Sequence, residues 1–255
     1  MKKTLPLLIT LLSAAAALDA RVTEKFTETF GLNPNGVIRL ENVNGDVEII
    51  AWDKNEVSLE AEKRASNDDD LKKLEIQIDA KPDRLAIKTV YPKSMKRWFN
   101  HGHFSVTYKL RVPAGVSLEK VDVVNSDLTV EGVRGSVDLD TVNGSIRAKG
   151  LRGEGRFDTV NGSIRADYDS LDGVKKIDLD TVNGSATLYL PADASGSLVA
   201  DSVNGSISCD FPIKLERSSR TYLRGKIGKG EGPSIRLDSV NGGLKIRERE
   251  TTGAK

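Results

Sequence analysis

Seven octapeptides built around one tripeptide constrain this chain more than any other feature. They are NVNGDVEI (42–49), VVNSDLTV (123–130), TVNGSIRA (141–148), TVNGSIRA (159–166), TVNGSATL (181–188), SVNGSISC (202–209) and SVNGGLKI (239–246). Their asparagines stand at 44, 125, 143, 161, 183, 204 and 241, so successive gaps are 81, 18, 18, 22, 21 and 37. Four steps cluster near twenty residues; 37 is about two such steps and 81 about four. A fixed period of this size marks a chain that stacks one supersecondary unit on the next.

Two folds compete for the motif. As a hairpin, Asn-Gly forms a tight two-residue turn and the faces alternate through it. Leu139, Thr141, Ile146 and Ala148 then point inward, and Asp140, Val142, Ser145 and Arg147 outward. As a β-solenoid, Asn-Gly is the corner of a coil. The residue before Asn is valine in all seven copies, while the one before that is polar in six. Constancy favours an inward valine. That choice breaks the period-2 alternation between Leu139 and Val142, as a strand turning a corner does, and so favours the solenoid.

On this reading Val142, Val160, Val182 and Val203 stack as one apolar column, about 4.8 Å per coil. Ile146, Ile164, Ala186 and Ile207 form a second. Ala148, Ala166, Leu188, Cys209 and Ile246 form a third, which makes Cys209 a buried, inert thiol. Val182→Asp should then unfold the protein. Gly144, Gly162, Gly184 and Gly205 supply positive φ at the corner. Asn143, Asn161, Asn183 and Asn204 form an amide ladder, each bonded to the next coil. Val240, Asn241 and Gly242 complete the structural set. Asp140, Asp158, Asp180 and Asp201 make an outer row, balanced in part by Arg147 and Arg165.

The fold class read from the sequence is therefore all-β: a single-stranded, right-handed β-solenoid with coils of about 20 residues. Residues 1–20 read as a secretory signal peptide: Lys2 and Lys3, an apolar run from Leu5 to Leu12, then small residues, with cleavage after Ala17 or Ala20. Residues 21–255 read as one solenoid domain, with less regular strands over 21–120 and repeat coils over 121–250. In the N-terminal part GVIRLENV, GDVEIIAW, EVSLEAEK, LEIQIDA, RLAIKTV and FSVTYKLRVPAG read as strands, and 67–73 as a single turn or loop. The expected location is periplasmic or secreted.

In their order and spacing these pieces resemble the bacterial putative-adhesin family, a domain of unknown function with a β-helical repeat. The carrying segments are GVIRLENVNGDVEIIAWDKNEVSLEAEK, FSVTYKLRVPAGVSLEKVDVVNSDLTVEGVRG and the DTVNGSI coils. The resemblance implies an exported, non-enzymatic protein and supplies no catalytic residues.

Charge and chemistry narrow the function. Without residues 1–20 the chain carries 36 basic and 36 acidic residues, so nothing draws it to nucleic acid. No cofactor is expected and no membrane-spanning segment is read. WFNHGHF holds both histidines; His101 and His103 could offer two metal ligands, but no third is evident. An exposed loop fits better, with Trp98, Phe99, His101 and His103 as contact points for a glycan or anionic surface. Lys214–Lys229 carries six basic residues against one glutamate and interrupts the repeat. Arg217, Arg220 and Arg224 are its candidate contacts for an acidic envelope polymer, against a plain solvated coil. GKIGKGEG lacks the Gly-Lys-Ser/Thr ending of a P-loop, and the Asp row lacks the calcium-binding nonapeptide. Four Asn-Gly-Ser sequons are discounted because the asparagine is needed at the corner. The expected function is a non-catalytic envelope scaffold or adhesin-like surface, with envelope polysaccharide or another envelope protein as partner. The rival is a polysaccharide-active β-helix enzyme, lyase or glycosidase, which would need an acid pair off the repeat period.

Overall fold

The computed structural model describes residues 21–91 and 104–249. The leader at 1–20 and the Trp98–Phe99–His101–His103 loop lie outside the described residues. In chain order the elements are β1 (Val22–Gly31), β2 (Val37–Glu41), β3 (Val47–Trp52), β4 (Glu56–Ala65), α1 (Asp68–Lys73), β5 (Glu75–Lys81), β6 (Arg84–Val90), β7 (Ser105–Pro113), β8 (Ser117–Val123), β9 (Leu128–Glu131) and β10 (Val137–Asn143). They continue with β11 (Ile146–Leu151), β12 (Gly155–Asn161), β13 (Ile164–Tyr168), β14 (Lys176–Asn183), β15 (Ala186–Leu190), β16 (Gly196–Asn204), β17 (Ile207–Cys209), β18 (Ile213–Ser218), β19 (Tyr222–Ile227), β20 (Ser234–Asn241) and β21 (Leu244–Glu248).

These strands form two large open sheets. One runs β1-β4-β7-β3-β9-β11-β13-β15-β21-β17, the other β18-β19-β16-β20-β14-β12-β10-β8-β2-β6-β5. Every Val-Asn motif is the corner at which the chain leaves the second sheet for the first: β2 to β3, β8 to β9, β10 to β11, β12 to β13, β14 to β15, β16 to β17 and β20 to β21. Equivalent residues pair in parallel from coil to coil, Leu139 with Phe157 and Ile146 with Ile164 for example. Repetition is thus the stacking rule of a β-helix-like fold, with the core held between the sheets.

The path is less monotonic than the gaps imply. The 81-residue gap holds an excursion, β4 to β7, that extends both sheets beyond β2 and β3 instead of adding four coils. The 37-residue gap holds the antiparallel hairpin β18–β19, after which β20 and β21 insert between coils already laid down. The Asn241 coil therefore separates the Asn183 coil from the Asn204 coil. Within the excursion, the turn read at 67–73 is a short helix capped by Asn67, whose side chain accepts from the Asp70 amide at 2.9 Å.

The facing of the motif corrects the sequence reading. Val142, Val160, Val182, Val240 and Val203 are exposed, Val203 by 67%. Thr141, Thr159, Thr181, Ser202 and Ser239 are buried. Alternation runs unbroken through Leu139 and Thr141 to Val142, and Asn143, Gly144 and Ser145 make the corner before Ile146 turns inward. These are the faces of the hairpin reading inside the topology of the solenoid.

The physical reason is a carbonyl. At each corner the peptide oxygen of the Gly position turns toward the neighbouring coil, where it needs a donor. Thr141, Thr159 and Thr181 supply it through Oγ1, to the oxygens of Ser126 (3.2 Å), Gly144 (3.0 Å) and Gly162 (3.1 Å). Ser239 and Ser202 do the same for Gly184 and Gly242. In the Asn44 copy the buried Asn42 amide takes this place, its Nδ2 donating to the Val106 oxygen at 2.8 Å, so the position is kept for a donor.

The same oxygen explains the glycines, which do not take positive φ at 144, 162, 184, 205 or 242. A Cβ on Gly144 would lie 1.9 Å from the Ser126 oxygen, and one on Gly162 would lie 1.9 Å from that of Gly144. Glycine is required for close approach between coils, not for a left-handed turn. Gly45 alone among the motif glycines has positive φ, +105°. The Asn125 copy carries neither glycine nor hydroxyl, having Val123 and Ser126 in those places.

The asparagine ladder is complete. Nδ2 of one residue donates to Oδ1 of the next from Asn125 to Asn44, Asn143 to Asn125, Asn161 to Asn143 and Asn183 to Asn161, at 2.8–2.9 Å. It continues from Asn241 to Asn183 at 2.8 Å and from Asn204 to Asn241 at 3.0 Å. The two interior columns also stand, with the Asn241 coil contributing Leu244 and Ile246 between the last two members. Cys209 sits in the terminal coil and is only half-buried; desolvation pushes its thiol up, away from thiolate.

Candidate functional site

The inward hydroxyl forces the residues on either side of it outward. On β10, β12, β14, β20 and β16 this puts an aspartate and a valine on the outer face of the second sheet. Parallel in-register pairing then turns each position into a row. Glu41, Asp122, Asp140, Asp158, Asp180, Asp238 and Asp201 lie side by side across seven strands. Beside them runs the exposed valine row of 142, 160, 182, 240 and 203. On the other flank Asp138, Arg156, Asp178, Arg236 and Val199 are in register. The aspartates from Asp140 to Asp201, the valines at 160, 182, 240 and 203 and, from the other flank, Arg156 line an open depression of about 540 Å³.

Cations serve some of these acids and not others: Lys88 reaches Glu41 and Lys176 reaches Asp178. Arg156 Nε meets Asp158 at 2.7 Å and Asp138 at 4.0 Å. Arg236 pairs with Asp238, and Lys120 meets Asp122 at 3.0 Å. Asp180 lies between the two paired aspartates, in register with both. Burial, then the charges of Asp238 and Asp158, and a hydrogen bond shared with Asp238 push its carboxyl up to about 6. Burial and the neighbouring aspartates also raise Asp140 and Asp138.

Arg147 and Arg165 do not balance this row, because they lie on the opposite sheet. Arg147 pairs with Asp127 at 2.9 Å, and Arg165 stacks on Tyr189 with 4.2 Å to the ring centre. The balancing residues are Arg156 and Arg236, which stand upstream of the octapeptide and meet Asp158 and Asp238 two residues along the same strand. The valine row was missed because its constancy was taken for burial. The repeated Asp-Thr-Val alternation was the signal for it, since an outward Asp and an inward Thr leave Val outward.

Arg217, Arg220 and Arg224 are brought together on the β18–β19 hairpin, which closes one edge of the second sheet. All three are exposed. Arg217 lies over the Tyr222 ring at 5.4 Å, and Arg224 Nε meets Glu216 at 3.0 Å. Among the described residues no group of three or more His, Cys, Asp or Glu is arranged to hold a metal ion. No helix among them is long and apolar enough to cross a membrane.

Comparison with known proteins supplies the context. No curated protein matches the chain. A putative cell adhesion protein from Clostridium sporogenes matches at 15% identity, over 89% of this chain and 100% of its own, with a TM-score of 0.44. A putative adhesin from Bacteroides fragilis matches at 14% identity, over 88% and 97%, with a TM-score of 0.44. A putative lipid binding protein from Parabacteroides distasonis matches at 13% identity, over 88% and 97%, with a TM-score of 0.30. The family profile described as Toastrack DUF4097 matches residues 113–247, from the last residue of β7 through most of β21. With more than half of its length matched, from the coil of Asn125 to that of Asn241, this chain belongs to the Toastrack family.

Proposed function

We propose that the protein is an exported, non-catalytic β-solenoid that works as an adhesin-like binding scaffold of the cell envelope, in the periplasm or secreted. The mature chain, 21–255, forms one domain, and its coils wind right-handed, as parallel β-crossover-β connections do in nearly all folds. One observation carries the reading. The outward polar groups of the repeat are spread as rows, one residue per strand, over an open face, instead of converging on an enclosed point. That suits contact with an extended polymer or a protein surface more than turnover of a bound substrate. Envelope polysaccharide or another envelope protein is the partner class. The Arg217–Arg220–Arg224 hairpin and the Trp98, Phe99, His101 and His103 segment are the contact points.

The enzyme alternative has one observation in its favour. Asp180, raised to about 6 beside ion-paired Asp158 and Asp238, has the character of a general acid next to carboxylates. Incubating the mature chain with a panel of envelope polysaccharides separates the two. Saturable binding without shortening of the polymer is expected. Depolymerisation that Asp180→Asn abolishes would overturn the scaffold reading.

A further inference from the structure

The stack of coils ends unevenly. Its last coil sets β16 in the second sheet against β17 in the first, and beyond it only the second sheet continues, through β19 and β18. The hairpin therefore overhangs β17 by two strands, about 10 Å. Leu215 is on its inner face, in line with Gly225 and the buried Leu198, and no strand of the first sheet lies opposite. Among the described residues Leu215 is the only exposed large apolar side chain outside the valine row, at 56%. The outer face of the hairpin is basic. Opposite residues of an antiparallel pair project to the same side, and like charges there are destabilising. Lys214 nevertheless stands opposite Lys226, and Arg217 opposite Arg224. Only Arg224 has a carboxylate partner, Glu216 at 3.0 Å; Lys214, Arg217, Arg220, Lys226 and Lys229 form no ion pair among the described residues. Arg220, at the tip, is held to the same end of the stack, its carbonyl accepting from the Ile207 amide of β17 at 3.3 Å.

We propose that this end of the molecule docks on a bilayer bearing anionic headgroups, with the stack standing on the membrane and β18–β19 at its surface. Unpaired cations held together against their own repulsion find their counter-charge there, each worth about fivefold in partitioning. The same end of a second copy would bring the same cations and be repelled. A polyanion in solution answers the charges alone. Leu215 decides for the bilayer, because the interface takes an apolar side chain beside cations at the headgroups. The cations lie on the outer face and Leu215 on the inner, so an approach along the free edge of β18 brings both to one plane. That approach also keeps the acidic row clear of the lipid. Asp201, its nearest member, is two strands back from the edge, and Asp180 is four. Two strands are about 10 Å, close to one Debye length at physiological salt. The inference goes beyond the scaffold reading and does not rest on it: the bilayer takes the hairpin, and the open face of the second sheet stays free for a partner.

Co-sedimentation of the mature chain with vesicles of phosphatidylcholine, alone or mixed with phosphatidylglycerol, tests it. Binding to the mixed vesicles at low salt, weakened by high salt and absent from phosphatidylcholine alone, is expected. Lys214→Ala with Lys226→Ala removes two unpaired charges and should weaken binding about 25-fold, and reversal of both to Glu should abolish it. Leu215→Ser should weaken it about tenfold without changing its salt dependence. Far-UV circular dichroism checks that each variant is folded, and the alanine pair carries the charge test if the glutamate pair does not fold. A soluble polyuronate supplies the competing arm. If it releases the protein from the vesicles, and Leu215→Ser binds them like the parent, the hairpin reads charge along a polymer and the bilayer proposal is overturned. No binding to mixed vesicles at low salt, equal binding to phosphatidylcholine alone, or charge variants that bind like the parent would each overturn it as well.

Discussion

Asp180 ties the acidic row to a measurable change in stability. Its carboxyl rises from an ordinary 3.8 to about 6 in the folded chain, first through burial and then through Asp238 and Asp158. A folded-state pKa above the unfolded one means that the native state holds the proton more tightly. The group therefore contributes most below about pH 4, and that contribution is lost as pH rises through about 6. At about 1.4 kcal/mol per pKa unit the ceiling is about 3 kcal/mol. Partial solvent access screens it, leaving about 1–2 kcal/mol. Asn at this position keeps the shape and a donor toward Asp238 but carries no charge. Asp180→Asn should therefore stabilise the protein by about 1–2 kcal/mol at neutral pH, or about 2–4 °C in Tm per kcal/mol. The gain should vanish toward pH 4, where the parent aspartate is protonated on folding. Melting curves of parent and variant across that range isolate Asp180, because the raised Asp138 and Asp140 contribute equally to both proteins. A variant no more stable at pH 7, or a difference that does not change with pH, would refute the burial and charge argument.

The corner makes further predictions. Gly162→Ala drives a methyl to within 1.9 Å of the Gly144 oxygen and should cost about 3 kcal/mol, read by denaturant unfolding. Thr159→Val removes the donor to that same oxygen and should cost about 1–3 kcal/mol in the same assay, although it adds no polar group to the core. Asn161→Ala cuts two rungs of the amide ladder and should cost about 1–2 kcal/mol, since both rungs are solvent-exposed. Val182→Asp should leave a folded protein within about 1 kcal/mol of the parent, because the side chain is exposed. A cooperative loss of the β circular dichroism signal in that variant would return valine to the core.

Period, coil and ladder were legible because they depend on sequence-local identity. Asn-Gly every twenty residues or so can stack only if equivalent atoms recur, and side-chain amides then reach each other coil by coil. The alternation of DLDTVNGSIRA was equally legible, and it gave the correct faces under the hairpin reading. Valine's constancy outweighed it because apolar residues are ordinarily conserved between copies by burial. The structure shows a different origin for constancy. Val142 stands between a threonine committed to a carbonyl and an asparagine committed to the ladder, on a strand whose neighbours are also valines.

What the sequence determined by itself was a stack of β coils with an asparagine spine, an acidic row and an interruption at 214–229. Tertiary structure alone decided the rest. It placed the Asn241 coil between two earlier ones, because β18–β19 turns the chain back instead of onward. It turned the valines to solvent, because the corner oxygen of each neighbouring coil takes the inward place for a hydroxyl. It also set a basic hairpin beside an acidic trough on one face. Which residues share a face of a sheet depends on the order of strands in space, and a repeat read along the chain does not contain that order.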